Sequence, residues 1–85
     1  MPVYLVERSF AEKVEFSDDS IHQINDVTSE LGAEWLTTFL SADGKKTYCL
    51  YEASDPELLR KHAKVVGIPA DEIIEVSRMW PLGDM

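Results

Sequence analysis

Six alternating segments predict an α+β domain with the order β-α-β-β-α-β. Three observations carry that reading. Two apolar stripes at helical spacing each run from a capping residue to a glycine. Four β-rich segments surround them. The two strand–helix–strand units, with right-handed crossovers, then build one four-stranded antiparallel sheet with both helices on one face. This is the ferredoxin-like arrangement, with the first and third strands central. The 85 residues make a single domain, 1–85.

Each element has its own signal. Pro2 to Arg8 (P-V-Y-L-V-E-R) is rich in β-formers. Ser17-Asp18-Asp19-Ser20 offers an N-cap oxygen and first-turn acids. Ile21, Ile24, Val27, Thr28 and Leu31 follow on one face, and Gly32 supplies the stop. Glu34 to Leu40 and Lys46 to Ala53 read as two strands. Asp55 caps a second helix, with Pro56 at its first position. Leu59, His62, Ala63 and Val66 share its inward stripe, and Gly67 ends it. Asp71 to Trp80 reads as the last strand, closed by Pro81 and Gly83.

The hairpin turn decides which side chains meet. A two-residue turn at Asp43-Gly44 sets Thr38 opposite Cys49. A three-residue turn with Gly44 in the left-handed position sets Thr37 opposite Cys49 and Trp35 opposite Tyr51, and is preferred. That register expects Leu36, Leu40, Tyr48, Leu50, Val6, Ile74 and Val76 beneath the helices. Val3, Leu5, Glu7, Trp35, Thr37, Phe39, Cys49, Tyr51, Ile73, Glu75, Ser77 and Met79 then form the other face. Such a face is too apolar for water, so a second copy is expected to cover it. The cavity between two sheets would have polar spots in an aromatic wall.

Composition narrows the partners. Sixteen acidic residues stand against eight basic ones, a net charge of −8. That balance disfavours nucleic acid and anionic membrane surfaces, and it keeps a small protein soluble. One cysteine forbids an internal disulfide. A reduced cysteine and no signal peptide point to the cytoplasm. No glycine-rich phosphate loop, nucleophile elbow or zinc-protease motif occurs.

The remaining candidates are few. Cys49 is either a small buried apolar group or a thiolate ligand. His62 is either a bonded core histidine or a metal ligand. Its helix is expected across the sheet from Cys49, which strains a site made of both. Glu7, in an apolar strand, is a ligand contact or a rim charge; Trp35 and Tyr51 would line the cavity. His22 is expected in solvent.

Several segments resemble a small single-domain family of unknown function, some of whose members are described as nickel-binding proteins. They are V-Y-L-V-E-R (Val3 to Arg8), W-L-T-T-F (Trp35 to Phe39), Y-C-L-Y (Tyr48 to Tyr51) and R-K-H-A…G-I-P-A-D-E-I…E-V (Arg60 to Val76). The resemblance implies a ferredoxin-like fold that dimerises into an α+β barrel. Glu7, Cys49, Tyr51 and His62 match its pattern. The family's W-x-H-S carries Thr37 in place of histidine here, and threonine is a poor transition-metal ligand. The expectation is therefore a cytoplasmic homodimer that holds a small molecule or a divalent metal, nickel by resemblance. Cys49 and His62 would be the metal ligands, and Glu7, Trp35 and Tyr51 the cavity contacts. The alternatives are a cofactor-free enzyme of the dimeric α+β barrel type and a plain interaction domain.

Overall fold

A computed structural model describes residues 1–77. The elements are β1 (Val3–Ser9), α1 (Asp18–Glu30), β2 (Glu34–Leu40), β3 (Lys46–Glu52), α2 (Pro56–Val66) and β4 (Glu72–Val76). The sheet order is β2-β3-β1-β4 with every neighbour antiparallel, so β1 and β3 are central. This is the expected ferredoxin-like topology. The expected continuation of β4 through Met79 and Trp80 to Pro81 and Gly83 lies outside the described residues.

Local chemistry sets the helix ends. The Ser17 side chain accepts the Ser20 N–H, and Asp55 accepts the Glu57 N–H. Gly67 ends α2 with φ +74°, and its N–H bonds the Ala63 carbonyl. Gly44 takes φ +75° in the β2–β3 turn, where its N–H bonds the Ser41 carbonyl. The long β1–α1 loop is tied to that turn. Phe10 N–H bonds the Lys45 carbonyl, and Val14 N–H bonds the Gly44 carbonyl, both at 2.8 Å.

The faces of the sheet differ from the expectation. Val6 pairs with Cys49 and Ile73, Tyr4 with Tyr51, and Arg8 with Thr47. Directly paired residues share a face. Tyr4, Val6, Arg8, Thr47, Cys49, Tyr51 and Ile73 therefore lie beneath the helices, with Trp35 and Thr38 beside them. Val3, Leu5, Glu7, Thr37, Phe39, Tyr48, Leu50, Ile74 and Val76 form the open face. Cys49, Tyr51, Trp35 and Ile73 are thus on the opposite side from the one expected, as are Tyr48, Leu50, Ile74 and Val76.

A β-bulge explains the β2 part of this. Near the turn Thr38 pairs with Cys49; beyond the irregularity at Leu36, Trp35 pairs with Tyr51. Each of the two turn registers holds over part of the hairpin. A bulge inserts one residue and reverses the alternation, so a single parity cannot describe the strand. For β1 and β3 the error has another source. The pairing joins even positions of one strand to odd positions of the other, and both sides of β3 are apolar enough to be buried.

The core joins Tyr4, Val6, Ala33, Cys49, Tyr51, Ala53 and Leu59, with Trp35, Leu58, Ala70 and Ile73 packed at its border. On the open face Phe39 keeps 59% of its surface exposed and Ile74 keeps 46%.

Candidate functional site: a polar pocket between sheet and helices

Four of the five residues singled out from the sequence meet between the sheet and the helices. Cys49 and Tyr51 are successive inward residues of β3, and both are buried. The Trp35 and Tyr51 rings stack, with centroids 6.3 Å apart and planes inclined by 22°. His62, on the inward face of α2, also packs on Tyr51, with ring centroids 5.6 Å apart and planes inclined by 59°. Cys49 and His62 are therefore on one side of the sheet, not on opposite sides. His22 is exposed, as expected.

Glu7 is the exception. It lies on the open face and accepts a 2.6 Å bond from Lys46 Nζ. That bond is the leading reason the Lys46 ammonium titrates above its ordinary range. Its strand neighbour Arg8 points the other way and is the residue that sequence reasoning missed. Arg8 is only 1% exposed. Among the described residues, Nε, Nη1 and Nη2 find no hydrogen-bond partner. Its guanidinium carbon lies over the Tyr51 ring, 5.7 Å from the centroid, a cation–π contact. The available signal was alternation, since Arg8 continues the buried series Tyr4, Val6.

Arg8 borders a small enclosed cavity of about 20 Å³, room for about one water. Trp35, Thr38, Thr47, Cys49 and Tyr51 line it from the sheet, and Ile24, Phe16 and Ile68 from the other side. No carboxylate lines it. Two larger hollows, about 300 Å³ at α2 and about 420 Å³ along residues 10–16, lie open on the surface. Neither holds a buried polar group without a partner.

The hydrogen bonds of the pocket have a direction. Trp35 Nε1–H donates to Thr38 Oγ1 at 2.7 Å, and the Thr38 hydroxyl donates to Cys49 Sγ at 3.2 Å. A second relay runs through the helices. Thr28 Oγ1 donates to the Ile24 carbonyl at 2.7 Å and lies 2.7 Å from His62 Nε2. A hydroxyl has one proton to give, so His62 Nε2–H is the donor to Thr28. The Ile24 carbonyl, 3.4 Å from the same nitrogen, agrees. Nδ1 of the neutral ring then keeps its lone pair, and it is buried without a partner.

Burial governs the titration. It pushes His62 below its ordinary value, with Arg8 acting in the same sense and the Ile24 carbonyl opposing. It pushes the Tyr51 phenol far up, against the pull of Arg8. Tyr51 is therefore a neutral hydrogen-bonding group at ordinary pH.

A nickel ion finds no ready-made donor set among the described residues of one chain. Among the described residues no three His, Cys, Asp or Glu side chains come together as metal ligands. Thr38, rather than Thr37, is the neighbour of Cys49, and neither supplies an imidazole. No helix among the described residues is long and apolar enough to cross a membrane.

The fold is shared with a solved structure. The crystal structure of SCO4226 from Streptomyces coelicolor A3(2) matches with a TM-score of 0.69 and 20% sequence identity. The match covers 96% of this chain and 99% of that one. No curated protein matches the chain. The family described as nickel responsive protein SCO4226-like matches residues 4–76, which include both helices, all four strands except Val3 at the start of β1, and every residue of the pocket. The chain belongs to the SCO4226-like family of nickel-responsive proteins.

Proposed function

We propose that the chain is a small-ligand-binding protein that acts as a homodimer, with its ligand site in the pocket between sheet and helices. The observation that supports it is a buried, hydrogen-bond-deficient guanidinium on an enclosed cavity. Core polar groups are ordinarily satisfied, and one left unsatisfied calls for an explanation, of which a bound ion, water or ligand is one. The site is the inter-layer pocket rather than a space between two sheets. Trp35, Tyr51 and Cys49 belong to it; Glu7, on the other face, does not. The second copy covers the open face.

A thermal-shift screen of small anions, neutral polar molecules and divalent metals tests the reading. A saturable rise in melting temperature is expected with at least one class, lost in Thr38→Leu, which fills the cavity. No shift with any class would sink it.

Nickel is a second reading, supported by the family description and by the free Nδ1 of His62. Cys49 and His62 would supply two donors, and water or the second copy would complete the set. Such a site has no reserve, so Cys49→Ala or His62→Ala alone should abolish Ni²⁺ binding by calorimetry. Binding that survives both substitutions would place nickel elsewhere, on the surface carboxylates.

A further inference from the structure

We propose that the ligand of this pocket is anionic, a halide or the carboxylate of a small acid seated against Arg8. The inference rests on the binding reading above and adds the charge and size of what is bound. An arginine side chain does not shed its proton in a protein, so Arg8 is a permanent cation. It is almost wholly withdrawn from water, with all three guanidinium nitrogens lacking a hydrogen-bond partner among the described residues.

Among the described residues no carboxylate pairs with Arg8 or lines the cavity. The ion pairs of the described residues are Lys46 with Glu7, on the far side of the sheet, and Arg60 with Glu57, on the surface. The cavity wall holds aromatic, hydroxyl, thiol and aliphatic groups. Tyr51 is kept neutral by its burial. Its ring meets the guanidinium carbon across the π face. That contact stabilises the cation, and the Tyr51 hydroxyl lies near enough to Arg8 to interact with it, but no guanidinium N–H has a hydrogen-bond acceptor among the described residues.

A buried cation in this state calls for an anion that can accept from the fork, and carboxylates and halides do so. Size selects among them. A cavity of about 20 Å³ excludes phosphate and sulfate and suits one compact anionic group. Phe16 is 40% exposed where it borders the cavity, and Ile68 is half-buried. The body of a longer acid would leave between those two side chains. The Thr47 hydroxyl stands at the wall as a further donor, whereas the Thr38 proton is already given to Cys49 Sγ.

Melting temperature and ³⁵Cl line width, measured on the full chain against anion concentration, test this. Ionic strength is held with a bulky sulfonate buffer. Chloride and formate should each raise the melting temperature saturably, and the chloride line should broaden and then narrow when formate competes. Formamide, the neutral counterpart of formate, should do neither. Arg8→Met should weaken the response by at least about tenfold, the loss of a charge-assisted pair. Should that variant fail to fold, Thr47→Val, which keeps Arg8 and removes a free donor from the wall, should still weaken formate by several-fold. Acetate and succinate separate the sources. A response to them places an organic acid in the pocket with its body between Phe16 and Ile68; a response to chloride and formate alone leaves a simple ion. Formamide acting as well as formate would overturn the anionic inference while the pocket reading stands. A response to none of these probes would overturn the anionic inference and leave the pocket reading to the wider screen of neutral molecules and metals. An undiminished response in Arg8→Met would place the anion elsewhere.

Discussion

At the scale of single residues, burial settles what Cys49 and His62 can do. Cys49 is 4% exposed, with its sulfur accepting from Thr38. Iodoacetamide should therefore label it more slowly than it labels glutathione at neutral pH, and mass spectrometry would read the rate; faster labelling would indicate an opened, activated thiol. His62 gives a pH prediction. Its folded-state value lies below the ordinary 6.5 because burial disfavours the imidazolium. As pH falls, the unfolded chain takes up the proton first, so stability is lost below about 6.5 and continues to fall until the folded-state value is reached. His62→Gln should flatten the decline between pH 6.5 and 5 in urea titrations. An unchanged decline would assign it to other groups. Arg8 shows why the site was only partly legible from sequence. A charged residue at the end of an apolar strand reads as a rim charge. Alternation with Tyr4 and Val6 points it inward, and its pairing with Thr47 in the central strands places it inside.

At the scale of elements, boundaries were legible where a local rule operates, and faces were not. Caps act through the backbone of the next few residues, so Ser17, Asp55, Pro56 and Gly67 could be read directly. Asp55→Ala should cost about 1 kcal/mol in urea unfolding through loss of the cap to Glu57. Gly67→Ala should cost about 1 kcal/mol as well. An added Cβ there meets nothing within 4 Å, so the cost is conformational and not steric. A cost near zero would mean that α2 ends differently in solution. The face of each strand depends instead on register between segments far apart in sequence. In β3 both Tyr48–Leu50 and Cys49–Tyr51 could be buried, so the pattern leaves the parity open. In β2 no pattern announces the irregularity at Leu36. Topology survived this error because strand order depends on connectivity and handedness, which the parity does not touch. The grouping of the candidate residues did change. Glu7 stayed on the open face, while Trp35, Cys49 and Tyr51 crossed to the helix side, where Arg8 and His62 also lie.

At the scale of the whole molecule, the open face of the sheet remains to be covered. Leu5, Leu50, Tyr48, Val3 and Val76 lie half-buried there, beside the exposed Phe39 and Ile74. The face carries charge at one end, where Lys46 pairs with Glu7 and Glu72 lies opposite Glu7, and is apolar along the middle. Contiguous apolar patches on monomers are ordinarily kept to roughly a few hundred Å². The proposed second copy would answer this one with the same apolar centre and charged rim, as a two-fold interface requires. The residues that carry this prediction are Phe39, Leu50 and Ile74, because Trp35 faces the helices. Leu50→Glu would place a charge at the centre of the face, on a central strand and next to Leu5. Light scattering at micromolar concentration should give a dimer for the wild type and a monomer for Leu50→Glu. Circular dichroism should show the variant still folded, since the helix-side core is untouched. Phe39→Glu, on the edge strand, should weaken the dimer without abolishing it. Because the pocket faces the helices of its own chain, Leu50→Glu should keep its ligand response even as a monomer. Loss of binding on dissociation would show that the second copy completes the site, and a wild-type monomer would leave the open face for a different partner.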